Sequence, residues 1–478
     1  MKDKINIVFN NSLFLYSNLL LLSIAVLFQS PLSPSAIGCV GNDSSIFITI
    51  ARNILDGDIL YKDITDHKGP MIFIMDALGL FLFKGKLIGI WILEIISLWV
   101  TSIFTYKTAN LLYDKIISFT STILSILFIV PILLGGNLTE EWCLPYIAIA
   151  IYLFIKYLKN NSLKAFKPYE LFILSFTFII AFLFKASYIG VWVAFGITII
   201  SKLVINKQWK TIISYLLQIV IYCLITLIPF FIYFYHHDAL KDAICWMLEF
   251  NMQYGSSTFS SSLLSTLQII VGIRHLPVIV ILSVMFAVYN DDWIKNRYIF
   301  IGFILAIIIT AYSCAIGNRY EHYNIIFAPL LVLTYGYLFN YLCPDSFNKK
   351  LAIFILAMGS GYIFTMKQID SRNYNPIFSN TTITEVANLI KKHSKPDDTI
   401  MGDPFVDRAI YVYANRKCLN KYQCNSYAPD ITEEVINKKP SIFIHNRKTY
   451  MNDTILILYF LKDSYNQYDI YEINKLMK

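Results

Sequence analysis

Long apolar runs constrain this chain more than any other feature. Stretches at about 12–29, 87–106, 116–134, 143–158, 169–185, 187–205, 211–235, 266–289, 298–316, 325–342 and 351–366 are almost wholly aliphatic and aromatic. About twenty such residues in a helix cross roughly 30 Å of hydrocarbon. The expectation is an all-α polytopic membrane protein of about eleven transmembrane helices. The segment 71–83 is short for a span and holds Asp76, so it is expected on the surface, continuing the first loop. The run at 12–28 follows basic residues and lacks a small-residue cleavage site, which reads as an uncleaved signal anchor. At 56% hydrophobic and 15% charged, the composition is not that of a soluble protein of this length.

The charges then orient the spans. Lys2 and Lys4, Lys107 and Lys115, Lys156 to Lys167, Lys202 to Lys210, Lys295 and Arg297, and Lys349 and Lys350 fall on one side when the spans alternate. The positive-inside rule makes that side cytoplasmic. The expected location is the cytoplasmic (inner) membrane, multi-pass, with the N-terminus inside. The formal charge of +8 is scattered between apolar runs and forms no nucleic-acid patch.

The opposite face receives the loop after the first span, short turns at 135–142, 185–188 and 317–323, the loop 236–265, and everything after about 367. That tail is polar and punctuated by Pro376, Pro396, Pro404, Pro429 and Pro440. Helices are expected at 381–393 and 433–438, and short strands at 398–401 and 441–444. The division is thus a membrane domain, 1–366, whose outer loop spans 30–86, and a small α/β extracytoplasmic domain, 367–478. Cys418 and Cys424 could pair there if the compartment is oxidising. No zinc-like Cys/His spacing appears, and no metal ligand set is assigned.

Polar chemistry concentrates in the first outer loop. Residues 41–70 hold Asp43, Asp56, Asp58, Asp63 and Asp66 with Arg52, Lys62, His67 and Lys68. Apolar residues at Ile46, Phe47, Ile50, Ala51 and Ile54 share one helical face, which suggests a short amphipathic helix on the membrane surface. Asp43, with Ser44 and Ser45, stands where that helix would be capped. Asp43 could equally take a proton from an acceptor, and Lys68 could stabilise a phosphate leaving group or merely snorkel. Glu140 and Glu141 could bind a sugar, an amine or a metal, or be solvated loop charges. Arg319 and His322 suit a phosphate headgroup, or an Arg–Glu helix anchor; Lys185 has the same ambiguity. His236-His237-Asp238 is spaced poorly for one metal and reads as a plain loop. No Walker loop, dinucleotide fingerprint, GxSxG or HExxH is present, so nucleotide-driven transport and serine or zinc hydrolysis lack support.

Several of these stretches resemble a known family. Asn42-Asp43, Ile54-Leu55-Asp56-Gly57, Tyr61-Lys62-Asp63 and Asp66-His67-Lys68-Gly69-Pro70 resemble the first outer loop of the bacterial GT-C membrane glycosyltransferases, alongside protein O-mannosyltransferases and lipid A aminoarabinose transferases. Asn137–Glu141, Lys185–Tyr188 and Arg319–Tyr323 resemble that family's later outer motifs. The resemblance implies inverting transfer from a polyprenyl-phosphate-linked sugar to a protein, lipid or cell-envelope glycan acceptor. It implies Asp43 as acid/base, a catalytic contribution from Asp66, and donor-phosphate contacts from Lys68, Lys185, Arg319 and His322. Glu140, Glu141 and His67 would face acceptor or sugar. The resemblance assigns no definite cofactor and leaves a divalent metal open. The departures are a His between the acid and the lysine, and Ser44 where some relatives carry a second acid. The competing readings are a flippase or transporter, and a polymerase or ligase, of a lipid-linked glycan. Among the span interiors only Glu94 carries charge, which favours an outer-face enzyme over a transport path.

Overall fold

The computed structural model describes residues 11–28, 30–34, 39–159, 166–254, 265–266, 268, 296–315, 320–342, 348–356, 359, 381–424 and 431–474. The membrane part contains α1 (Ser12–Leu27), α2 (Asn42–Leu55), α3 (Pro70–Leu82), α4 (Ile88–Asn110), α5 (Lys115–Leu127), α6 (Thr139–Lys159), α7 (Pro168–Phe184), α8 (Gly190–Ile205), α9 (Trp209–His236), α10 (Arg297–Ala315) and α11 (Ala328–Leu342). Among the described residues, seven helical stretches are long and apolar enough to cross a membrane. With 16, 13 and 17 residues, α1, α3 and α7 are apolar but shorter. The expected span at 266–289, and most of that at 351–366, lie outside the described residues.

Burial separates the protein-facing from the outward-facing sides. Along α9, Ile213, Leu217, Leu224, Ile228 and Ile232 are all exposed. A soluble helix would not leave such a row in water, whereas lipid tails satisfy it. Indole donors tie α1 to α4: Trp91 Nε1 donates to the Leu27 carbonyl at 2.8 Å, and Trp99 Nε1 to that of Tyr16 at 2.9 Å. Such bonds hold well where no water competes.

Two expectations for the first loop need correction. The 71–83 segment is not a surface strip. It forms α3, packed so closely on the start of α4 that a Cβ on Gly89 would stand 2.0 Å from the Gly79 carbonyl oxygen. Asp76 turns inward and is fully buried. Its charge made the segment look peripheral, but a bundle interior with a hydrogen-bond partner accepts it. Nor does α2 lie on the membrane surface. Its residues Ser44 to Ala51 are all buried, because its apolar face packs on α3 and its polar face meets the C-terminal domain. Arg52 donates to the Val412 carbonyl at 2.7 Å and Asn53 to that of Cys418 at 2.6 Å. Burial pulls the Arg52 pKa down to about 10, partly offset by Asp56.

The C-terminal domain has helices α12 (Thr381–His393), α13 (Ala409–Ala414), α14 (Thr432–Lys438) and α15 (Asp453–Leu458). Its strands are β1 (Thr399–Gly402), β2 (Lys417–Cys418), β3 (Ile442–Asn446), β4 (Tyr459–Tyr465) and β5 (Tyr468–Ile473). Sheet order is β2-β1-β3-β5-β4, parallel through β2, β1 and β3 and antiparallel beyond. The expected helices and the strands near 400 and 443 are present. The β4–β5 hairpin was not expected. Its turn places Asn466 at φ +50°, which asparagine tolerates. Cys418 and Cys424 are not joined to each other, so the disulfide that their spacing allowed is not made in this structure.

Candidate active site

The first outer loop is built around a strained tyrosine. Tyr61 has φ +68° and is fully buried, an uncommon conformation for a bulky residue. Its N–H donates to the Ile64 carbonyl, and its hydroxyl to the Lys68 carbonyl at 2.7 Å. The strain is sustained by these bonds and by Phe234, whose ring centroid is 5.6 Å away. The next turn is closed by Asp66, whose Oδ1 accepts from the Lys68 backbone N–H at 2.9 Å. The nearly buried Asp66 thus shapes the loop around Lys68.

Lys68 Nζ lies 2.9 Å from His67 Nε2. Burial disfavours the ammonium, but Asp66 and then Asp43 outweigh it, and the Lys68 pKa is raised. Burial, with Lys68 adding to it, drives His67 down to about 4, so its ring is neutral at physiological pH and accepts from the lysine. Lys68 and Lys185 also feel each other's charge. Two cations held this close need an anion between them or acids around them.

Lys185 follows α7 in an extended conformation at φ −164°. Its ammonium sits 3.5 Å from the Tyr323 ring centroid and 3.6 Å from Glu140 Oε1. Glu140 also accepts from the Tyr188 hydroxyl and, through Oε2, from Thr139 Oγ1 at 3.1 Å. His322, mostly buried, interacts electrostatically with Glu140, Asp43, Lys185 and Lys68. Asp43 stands in the first turn of α2, part-exposed, and does not cap it. The N-cap position is Gly41, and no side chain caps the helix. Asp43 lies two residues past the N-cap, and its carboxylate acts electrostatically on Lys68 and His322 instead.

Asp43, Asp66, His67, Lys68, Glu140, Lys185 and His322 are therefore brought together. Arg319 lies outside the described residues. Glu141 is a correction: it does not face the site with Glu140. Adjacent residues on a helix point about 100° apart, and Glu141 turns toward Glu94 and Gly136 beneath the loop. There Asn137, at φ +54°, is a hub. Its N–H donates to Glu94. Its Nδ2 donates to Ser44 Oγ at 3.0 Å and Asp76 Oδ2 at 2.9 Å, and its Oδ1 accepts from Trp142 Nε1 at 2.8 Å. One residue thereby fixes the start of α2, next to Asp43, to α3 and α6 through its side chain and to α4 through its backbone N–H. Asn137 and Tyr61 were missed as site-building residues because their partners are distant in sequence. Asn137 follows Gly135-Gly136, which was the available signal of a special turn.

At His236–Asp238, the His237 carbonyl accepts a hydrogen bond from Lys62 Nζ at 2.9 Å, which ties this loop to the first outer loop. No three candidate ligands converge at Asp43 among the described residues.

Residues 67–233 match the family model described as dolichyl-phosphate-mannose-protein mannosyltransferase. No curated protein matches the chain by sequence. Similar solved structures include ArnT from Cupriavidus metallidurans bound to undecaprenyl phosphate, 12% identical, covering 97% of this chain and 98% of that one, with a TM-score of 0.67. The archaeal oligosaccharyltransferase AglB from Archaeoglobus fulgidus, in complex with an inhibitory peptide and a dolichol-phosphate, is 10% identical over 91% of this chain and 69% of that one, at TM-score 0.56. The chain has the fold of the GT-C membrane glycosyltransferases, as the resemblance in its outer loops implied.

Proposed function

We propose that this protein transfers a sugar from a polyprenyl-phosphate-linked donor to an acceptor at the outer face of the membrane, with inversion at the anomeric carbon. The observation that carries this reading is the convergence of Asp43 and Lys68, from the two ends of the first outer loop, with Lys185 from the turn after α7. The ArnT and AglB structures with bound undecaprenyl phosphate and dolichol-phosphate support a lipid phosphate as the anion.

Each residue then has a chemical role. The acceptor's nucleophilic atom attacks the anomeric carbon and loses its proton to the Asp43 carboxylate. The bond from that carbon to the phosphate oxygen breaks, and the leaving polyprenyl phosphate gains one negative charge. Lys68 and Lys185 stabilise that charge where little water screens it. His67 holds the Lys68 ammonium, Asp66 shapes the backbone beneath it, and Glu140 with Tyr188 holds Lys185. His322 and Arg319 complete the phosphate side. The C-terminal domain braces the loop that carries Asp43. No nucleotide fold is needed, because the donor arrives already activated in the membrane.

The test is turnover. The chain in lipid nanodiscs, supplied with polyprenyl-phosphate sugars extracted from membranes, should release polyprenyl phosphate detectable by mass spectrometry. Asp43→Asn should slow release by about 10²–10⁴-fold, the usual share of a general base. Undiminished release by that variant, with the same fold, overturns the assignment.

A further inference from the structure

A second constellation joins the two ends of the chain. Residue Thr65 forms a parallel bridge with Tyr422: its N–H donates to the Lys421 carbonyl at 2.7 Å, and its carbonyl accepts from the Gln423 N–H at 3.2 Å. Two backbone bonds in register fix where the next side chains go. Asp66, His67 and Cys424 meet there, with ligand atoms all within 4.8 Å of one another. Asp66 Oδ1 and His67 Nδ1 are 3.6 Å apart. Two ligands each about 2.0–2.1 Å from a tetrahedral zinc stand roughly 3.4 Å apart, so this edge is already close to the metal-bound spacing.

The surroundings favour a closed site. Asp66 is buried, the Phe250 ring centroid is 5.7 Å from that of His67, and Asn251 Nδ2 holds the His67 carbonyl at 2.7 Å. One oxygen, one imidazole nitrogen and one thiolate make a borderline-soft donor set. Calcium and magnesium prefer oxygen alone, whereas zinc takes this mixture. His67 presents its other nitrogen, Nε2, to Lys68. A metal on Nδ1 places the ring proton on Nε2 and turns the Lys68 ammonium away from the ring, so occupancy also bears on the donor side.

We propose that Asp66, His67 and Cys424 form a zinc-class cation site that clasps the first outer loop to the C-terminal domain, with one coordination position left to water. The site shares Asp66 and His67 with the loop that carries Lys68, but metal retention and Cys424 protection are read without sugar transfer.

The experiment uses the untagged full chain in nanodiscs, stripped with chelator and titrated with zinc alone. About one zinc per chain should survive desalting, and thermal stability should rise with zinc concentration, since a ligand of the folded state stabilises it. Peptide mapping should show Cys424 alkylation slowed about tenfold or more by zinc, because a metal-held thiolate is a poor nucleophile. The exposed Cys245 serves as the unprotected control, and Cys39, buried with its pKa pushed up to about 11, should react with neither preparation. Cys424→Ala should lose the retained zinc. Retention unchanged in that variant, unprotected Cys424 in the wild-type chain, or Cys424 recovered in a disulfide each overturns the site. The protection readout needs no variant, so a poorly folding Cys424→Ala leaves the proposal open to refutation.

Discussion

Gly69→Ala should damage donor binding although no catalytic group is altered. Gly69 precedes α3 at φ −67° and ψ 162°, a conformation that alanine adopts without strain. The obstacle is contact. A Cβ there would lie 1.9 Å from the Leu183 carbonyl oxygen and 2.5 Å from its carbon. Both are backbone atoms at the end of α7, so no side-chain rotation relieves the clash. Ordinary contact begins near 3.4 Å, and the loop and the helix end must part by about 1.5 Å. The Gly69 N–H bond to the Phe184 carbonyl, 3.2 Å, is lost in that movement. Lys68 and Lys185 adjoin this contact on either side, so the two cations separate by a similar amount. A misplacement of about 1 Å can cost roughly 10² in rate, and overpacking typically costs about 1–3 kcal/mol of stability. The assay is affinity for undecaprenyl phosphate together with turnover. Gly196→Ala is the control, since a Cβ at that position meets nothing within 4 Å. Equal affinity and equal turnover in the two variants would refute the claim that this contact sets the spacing of the cations.

Asn137→Leu keeps the volume but leaves the Trp142 indole, Ser44 and Asp76 without their partner; at about 1–3 kcal/mol per stranded buried group, a loss of roughly 3 kcal/mol or more should appear as a lower thermal midpoint. Tyr188→Phe frees one side of Glu140 and should lower turnover several-fold while the thermal midpoint moves little; an unchanged rate would remove the tyrosine from the site. Arg52→Ala removes a charge-assisted bond to Val412, worth about 1.5–3 kcal/mol, and should expose the C-terminal domain to limited proteolysis; equal protection would show that the remaining ties suffice.

The sequence made the membrane class legible because lipid demands long apolar helices, and few other patterns satisfy that demand. The outer loops were legible as one set because charge asymmetry sorted them, and the structure does bring Asp43, Lys68, Glu140, Lys185 and His322 together. Three things were hidden, each for a physical reason. Asp76 disguised α3 as a surface strip, since hydropathy counts a charge without knowing that Asn137 will meet it. The apolar face of α2 indicated burial but not whether lipid or protein would cover it; the polar partners Val412 and Cys418 lie near the other end of the chain. Glu140 and Glu141 looked like a pair, yet the helical turn sends one to Lys185 and the other to Glu94. In the tail, short buried strands read clearly, whereas the half-exposed β4–β5 hairpin gave no comparable apolar run.

The most direct test of the central claim is binding of undecaprenyl phosphate, measured by native mass spectrometry and thermal shift on wild type, Lys68→Ala and Asp43→Asn. The account predicts binding by the wild type, retention of that binding in Asp43→Asn, whose carboxylate acts on the acceptor, and loss of at least about tenfold in affinity in Lys68→Ala, whose ammonium is a charge-assisted partner of the phosphate. Equal affinity in all three proteins, or no binding by any, would contradict a lipid-phosphate site between Lys68 and Lys185.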